Sequence, residues 1–147
     1  MEVKQATAQD VTIIATLFDQ YRVFYEQESD LTLAEEFLTA RLANQESVIF
    51  FAIDEKGSPL GFTQLYPTFS SVSAKRSWIL NDLFVTEQAR GQGVARALMN
   101  AAKQHAIDTQ AKGLALETAH TNHTAQKLYE SLGYQRDNEY YSYFLSI

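Results

Sequence analysis

The chain is 147 residues long, 46% hydrophobic and 12% aromatic, with 12 Lys and Arg against 18 Asp and Glu, a formal net charge of −6. That size and apolar content suit one domain over 1–147 with a sizeable core and exclude a disordered chain, while the missing basic excess argues against a nucleic-acid partner. The absence of cysteine excludes disulfides, thiolate metal sites and cysteine nucleophiles, and the longest apolar run, Val48–Ile53, is far short of the ~20 residues that cross a bilayer.

Val3–Thr7 reads as a short first strand. Val11, Ile14, Phe18, Tyr21 and Tyr25 then recur at helical spacing, which predicts an amphipathic helix from Asp10 to Glu26. Gln27–Asp30 breaks it, and Leu33, Ala34, Phe37, Leu38 and Leu42 mark a second helix. Val48–Ile53 has the pattern of a buried strand, Asp54–Ser58 is turn chemistry, and Leu60–Tyr66 is its hairpin partner. Ser70–Ser77 reads as a polar loop and Trp78–Val85 as another strand. After the glycine-bearing stretch Thr86–Gly93, Val94, Ala95, Leu98, Ala102, His105 and Ala106 form the stripe of a third helix. Leu114–Thr118 is expected as a strand, and Ala125, Leu128, Tyr129 and Leu132 as the inner face of a short helix, with Gly133 placed to end it. Tyr140–Ile147 closes the chain as an aromatic-rich strand able to pair across a two-fold in a homodimer. With no charged-then-apolar leader at Met1, a cytoplasmic protein with no membrane partner is expected.

The informative unit is strand, then Arg90-Gly91-Gln92-Gly93-Val94-Ala95, then helix. Amides at a helix N-terminus point outward unsatisfied, and glycines let a ligand approach them, so this junction can hold an anion. Arg90 and Arg96 add positive charge there. It is not a Walker A loop, which needs Gly-Lys-Ser/Thr where Gly93 is followed by Val94 and Ala95. The dinucleotide fingerprint fails as well, because Arg96 stands where Gly or Ala is required.

What the unit resembles is the signature Gln/Arg-x-x-Gly-x-Gly/Ala of the GNAT superfamily of acyl-CoA-dependent N-acetyltransferases, met by Arg90, Gly93 and Ala95. Asn122-x-x-Ala125-x-x-Leu128-Tyr129-x-x-Leu132-Gly133-Tyr134 is similar to that family's second motif, and the order of elements matches over the whole chain. The resemblance implies an α/β (α+β) fold: a mixed, mostly antiparallel sheet of six to seven strands with about four helices on its two faces. It implies acetyl-CoA as co-substrate and an amine acceptor, on a small molecule or a peptide. The backbone amides of Gln92, Gly93, Val94, Ala95 and Arg96 would cradle the pyrophosphate, with Arg90 and Gly91 also at the cofactor, while the backbone of Leu83, Phe84 and Val85 would pair with the pantetheine arm. Asn122 would contact CoA and Tyr129 would be the general acid, a phenol with an ordinary pKa of about 10 able to protonate the departing sulfur.

A general base is needed because an alkylamine is protonated at neutral pH. Asp82, on the strand before the loop, is the first candidate; simple alternation puts it on one face with Leu80 and Phe84, where apolar surroundings would raise its pKa. Glu117 is its competitor, as base or as a group that holds the substrate cation. Tyr21, Arg22, Tyr25, Tyr66 and Tyr143 are candidates to line the acceptor site, against the alternative of core and rim aromatics on helical or strand stripes. His120 and His123 lack a third ligand, so no metal is expected. With no cysteine and no other nucleophile motif, direct transfer in a ternary complex is expected; the alternative is an acyl-CoA-binding sensor or scaffold without turnover.

Overall fold

The computed structural model describes residues 1–147, which form two compact units, Met1–Leu116 and Glu117–Ile147. The first holds a five-stranded sheet in the order β1 (Glu2–Gln5), β2 (Val48–Ile53), β3 (Pro59–Ser70), β4 (Lys75–Val85), β5 (Leu114–Ala115). All neighbours are antiparallel except β4 and β5, which run parallel through Trp78–Leu114 and Ile79–Ala115. Three helices, α1 (Val11–Phe24), α2 (Leu31–Ala43) and α3 (Val94–Asp108), complete this unit.

Local chemistry sets the helix ends. The Thr7 side chain accepts from the Gln9 amide while Asp10 accepts from the Thr7 amide at 2.8 Å, a reciprocal cap that opens a short 3₁₀ turn running into α1. Glu26, at φ 65°, takes the left-handed turn that ends α1. The link to α2 is clamped from below: buried Asp19 accepts from the Ser29 hydroxyl at 2.6 Å and from the Asp30 amide at 2.7 Å, and Asp30 in turn caps Leu33 at 3.0 Å. The last turn of α1, which carries Tyr21 and Arg22 and ends in the C-cap Tyr25, is therefore held at both ends.

Strand alternation divides the core. Ile49, Phe51 and Phe62 pack with Ile14, Leu17, Phe18, Ala34 and Leu38 of α1 and α2, and Phe18 stacks on Phe37 at 5.4 Å. On the other face Phe50 and Trp78 meet His105 of α3 at 5.7 and 4.9 Å between ring centroids. No helix of the chain is long and apolar enough to cross a membrane.

The elements depart from the sequence expectation at four places. The β3–β4 hairpin extends through Ser70 and Lys75, leaving only 71–74 as the turn, because Thr68, Ser70, Lys75 and Arg76 continue the ladder with their side chains in solvent or over aromatic rings. The strand expected over Leu114–Thr118 stops at Ala115. The second unit contains one helix, α4 (His123–Ser131), and Tyr140–Ile147 is not a strand. Tyr140, Tyr141, Tyr143 and Phe144 are exposed; β propensity yields a strand only where a ladder partner and a packing face are supplied. The sheet accordingly has five strands rather than six or seven.

The fourth departure lies inside β4. Gln64 pairs with Asp82 but Leu65 pairs with Leu80, so Asn81 is an extra residue, a β-bulge. The bulge resets the alternation. Asp82 and Phe84 face α1, whereas Leu80 faces α3, correcting the shared face that plain alternation assigns to Leu80 and Asp82.

Candidate functional site

Asp82 is 3% exposed and lies opposite Gln64, itself fully buried. The Gln64 side-chain amide donates to Oδ2, the Asn81 amide donates to Oδ1 at 2.9 Å, and the Tyr21 hydroxyl donates as a third partner. Burial pushes the carboxyl pKa up, and these three hydrogen bonds pull it partly back. The carboxylate in turn acts on its phenols. Tyr21 is raised well above the usual phenol range, chiefly by burial and then by Asp82, and Tyr66 is pushed up to about 12 by the same two causes. Both phenols therefore stay protonated as donors. Gln64 Oε1 is buried with no donor, so an acceptor oxygen stands unfilled beside the carboxylate.

Tyr21 is seated on Phe62 at 5.7 Å and contacts Phe84 at 6.3 Å; Tyr25 covers it at 5.0 Å and is itself largely exposed. The group around Asp82 is thus Tyr21, Tyr25, Tyr66, Gln64 and Asn81. Gln64 and Asn81 escaped sequence reasoning. A glutamine within the apolar run Leu60–Tyr66 is the signal that could have found the first; a one-residue bulge leaves no signal for the second.

Across the bulge, from Leu80 to Val85, the edge of β4 that faces away from β3 has no strand partner, since β5 pairs only at Trp78 and Ile79. Leu83, Phe84 and Val85 are half-buried on this edge. The chain then turns through Glu87–Ala89 into Arg90–Gly93. Gly91 and Gly93 sit at φ 76° and 80°, and nothing lies within 4 Å of where a Cβ would project at either. Gly93 is the N-cap of α3 and supplies no side chain to its first amides, those of Val94, Ala95 and Arg96. An open strand edge beside an uncapped helix start fits an elongated ligand with an amide-bearing arm and a phosphate group.

Arg90 is placed differently from a free cation: its Nε donates to the Val85 carbonyl at 3.2 Å and its guanidinium lies 5.6 Å from the Phe24 ring centre. It ties the loop to β4 and to the end of α1. Gln92 folds back, its side-chain amide donating to the Gln88 carbonyl at 3.0 Å.

In the second unit Asn122 caps α4, its Oδ1 accepting from the Ala125 amide at 3.2 Å. Tyr129 is half-buried on α4 with its ring 6.1 Å from that of Tyr134, whose hydroxyl is buried without a partner and pushed up to about 12 by burial. Gly133, at φ 95°, follows the helix as the spacing predicts. Glu117 is exposed and lies beyond the end of β5, and Tyr143 is exposed in the final segment.

A family model described as Acetyltransferase (GNAT) family matches residues 12–134. An uncharacterized N-acetyltransferase of Bacillus subtilis (strain 168), YhfO, is 53% identical over 147 residues, covering 100% of this chain and 98% of that protein. A probable acetyltransferase of Haemophilus influenzae (strain ATCC 51907 / DSM 11121 / KW20 / Rd) is 33% identical over 135 residues, covering 92% and 90%. Among solved structures, the crystal structure of a probable acetyltransferase superimposes with a TM-score of 0.94 at 47% identity, covering 100% of this chain and 98% of that one.

Proposed function

The chain belongs to the GNAT family of acetyltransferases, and from that premise we propose that it moves an acetyl group from acetyl-CoA to a primary amine, on a small molecule or a peptide, by direct attack in a ternary complex. Acetyl-CoA, when bound, supplies an acetyl thioester activated toward nitrogen, with CoA thiolate as leaving group. The observation that carries the reading is the buried carboxylate at the β4 bulge, on the strand whose open edge leads into the glycine loop.

The amides of Val94, Ala95 and Arg96 would hold the pyrophosphate and the edge Leu83–Val85 the pantetheine amides, while Gly91 and Gly93 leave the approach clear. Asp82 receives the acceptor ammonium, and Gln64 Oε1 takes a second N–H. A carboxyl whose pKa is raised by burial accepts a proton more readily than an ordinary aspartate, so Asp82 serves as the base that frees the nitrogen lone pair. As the new N–C bond forms and the C–S bond breaks, Tyr129 would protonate the departing sulfur, the role its place in the second motif supports; the nitrogen's second proton passes through solvent to restore the phenol, and Asp82 returns the first proton to water. Asn122 would contact CoA through whatever hydrogen-bonding capacity its capping role leaves. Tyr25 and Tyr66 wall the acceptor side, and Glu117 is assigned to substrate binding.

The test follows release of the free thiol of CoA over an amine panel. Asp82→Asn and Tyr129→Phe are each expected to lower kcat by about 100-fold or more while acetyl-CoA still binds, as loss of a general base or acid does. Wild-type turnover in both variants would remove these residues from the chemistry.

A further inference from the structure

Arg22 follows Tyr21 on α1, and its Nη1 is buried without a hydrogen-bond acceptor. It also takes part in neither of the chain's ion pairs, Arg41–Glu46 and Arg136–Glu130. The other arginines are engaged: Arg41 with Glu46 and over Phe37, Arg76 over Phe69 and Trp78, Arg90 with Val85, Arg136 with Glu130, and Arg96 too has a partner. A buried charged donor with nothing to donate to is destabilising, more so than a neutral one, and persists where a ligand completes it.

Its surroundings define that ligand. Arg22 shares a helix face with Phe18 one turn before it and Tyr25 one turn after it. Phe18 stacks on Phe37, over which the Arg41 guanidinium lies at 4.6 Å. The preceding residue, Tyr21, donates its hydroxyl to Asp82. Consecutive residues of one clamped helical turn therefore attend a buried carboxylate and carry a half-buried guanidinium whose Nη1 is unanswered. We propose that the acceptor is a primary amine that also carries a carboxylate, its ammonium held at Asp82 and Gln64 and its carboxylate on Arg22. The planar fork of a guanidinium matches the two oxygens of a carboxylate. A zwitterion has no net charge, so the −6 field of the chain does not repel it as it would a simple anion. This inference rests on the amine-acceptor reading above.

The test compares amino acids with the matching amines that lack the carboxylate. The wild type should favour the amino acids in kcat/KM by on the order of 10- to 100-fold, the worth of a charge-assisted hydrogen bond. Arg22→Gln should flatten that ratio, and Arg22→Lys should restore part of it. Calorimetric binding of an N-acetyl amino acid gives a readout independent of turnover: the wild type should bind it and Arg22→Gln should bind it at least about 10-fold more weakly. Thermal unfolding of ligand-free Arg22→Met should show no loss of stability, because the native guanidinium has no partner to lose; a marked loss would make Arg22 structural and overturn the proposal. Turnover indifferent to the carboxylate, with the same ratio in Arg22→Gln, would overturn the proposal and leave acetyl transfer standing. Arg22-dependent binding of the N-acetyl amino acid without turnover of any amine would overturn the transfer reading, and the acceptor role with it, while leaving Arg22 a carboxylate site. Weakened acetyl-CoA binding in Arg22→Gln would reassign the guanidinium to the co-substrate and also overturn it.

Discussion

Asn81 is the residue that interrupts the β3–β4 ladder, and its side-chain amide donates to Asp82 Oδ1 at 2.9 Å. The irregularity that turns the aspartate toward α1 thus also supplies one of its hydrogen bonds. A strand that kept strict register would carry position 82 to the α3 face, away from Tyr21 and Gln64.

The pKa of Asp82 links stability to pH with a definite sign. Its folded value lies above the ordinary 3.8, so the folded state binds this proton more tightly than the unfolded state does. The group therefore favours folding at low pH, and that contribution is lost as pH rises from the unfolded pKa through the raised folded one. Asp82→Asn lacks the titration. Its Tm relative to the wild type should move in the variant's favour as pH increases through that window, measured by thermal unfolding at several pH values. A constant difference would mean that the carboxyl is not perturbed.

Tyr21→Phe tests the hydroxyl without removing the ring that sits on Phe62. The hydroxyl is one of the groups holding the Asp82 pKa down. Its loss should shift the acid limb of the pH–rate profile to higher pH, with activity falling off earlier on acidification. An unmoved limb would separate Tyr21 from the titrating group.

Gly61 is a packing constraint rather than a turn. A Cβ there would come within 2.5 Å of the Phe84 carbonyl oxygen and 3.2 Å of the Val85 Cα, both backbone atoms of the open edge. Gly61→Ala should destabilise the protein by about 1–3 kcal/mol, the usual range for overpacking, and should weaken acetyl-CoA binding by displacing β4. Denaturant unfolding together with calorimetry checks both.

Much of this was readable from residue types alone. Gly91, Gly93 and Gly133 stand where positive φ is needed, and Leu98, Ala102 and Ala106 announced the buried face of α3, because backbone chirality and helical periodicity act locally. Asp82 is buried with a raised pKa, as its apolar neighbours in sequence imply, but plain alternation misplaces its face. A single extra residue changes which side chains meet while leaving composition and spacing almost untouched. Gln64 illustrates the same limit: a polar residue in a strand declares nothing until its cross-strand partner is known. Tyr140–Ile147 fails in the opposite direction, since its strong strand propensity meets no ladder.

If the loop before α3 holds acetyl-CoA, calorimetric titration of acetyl-CoA into the wild type, Gly93→Asn and Gly93→Val will separate the three proteins. At φ 80°, valine would strain the backbone by about 1–2 kcal/mol and put a branched side chain into the space the ligand needs, whereas asparagine tolerates the left-handed region better. Micromolar binding to the wild type is expected, about −8 kcal/mol, weakened in Gly93→Asn and abolished in Gly93→Val with the circular dichroism unchanged. Absence of binding to the folded wild type, or equal binding by Gly93→Val, would contradict it.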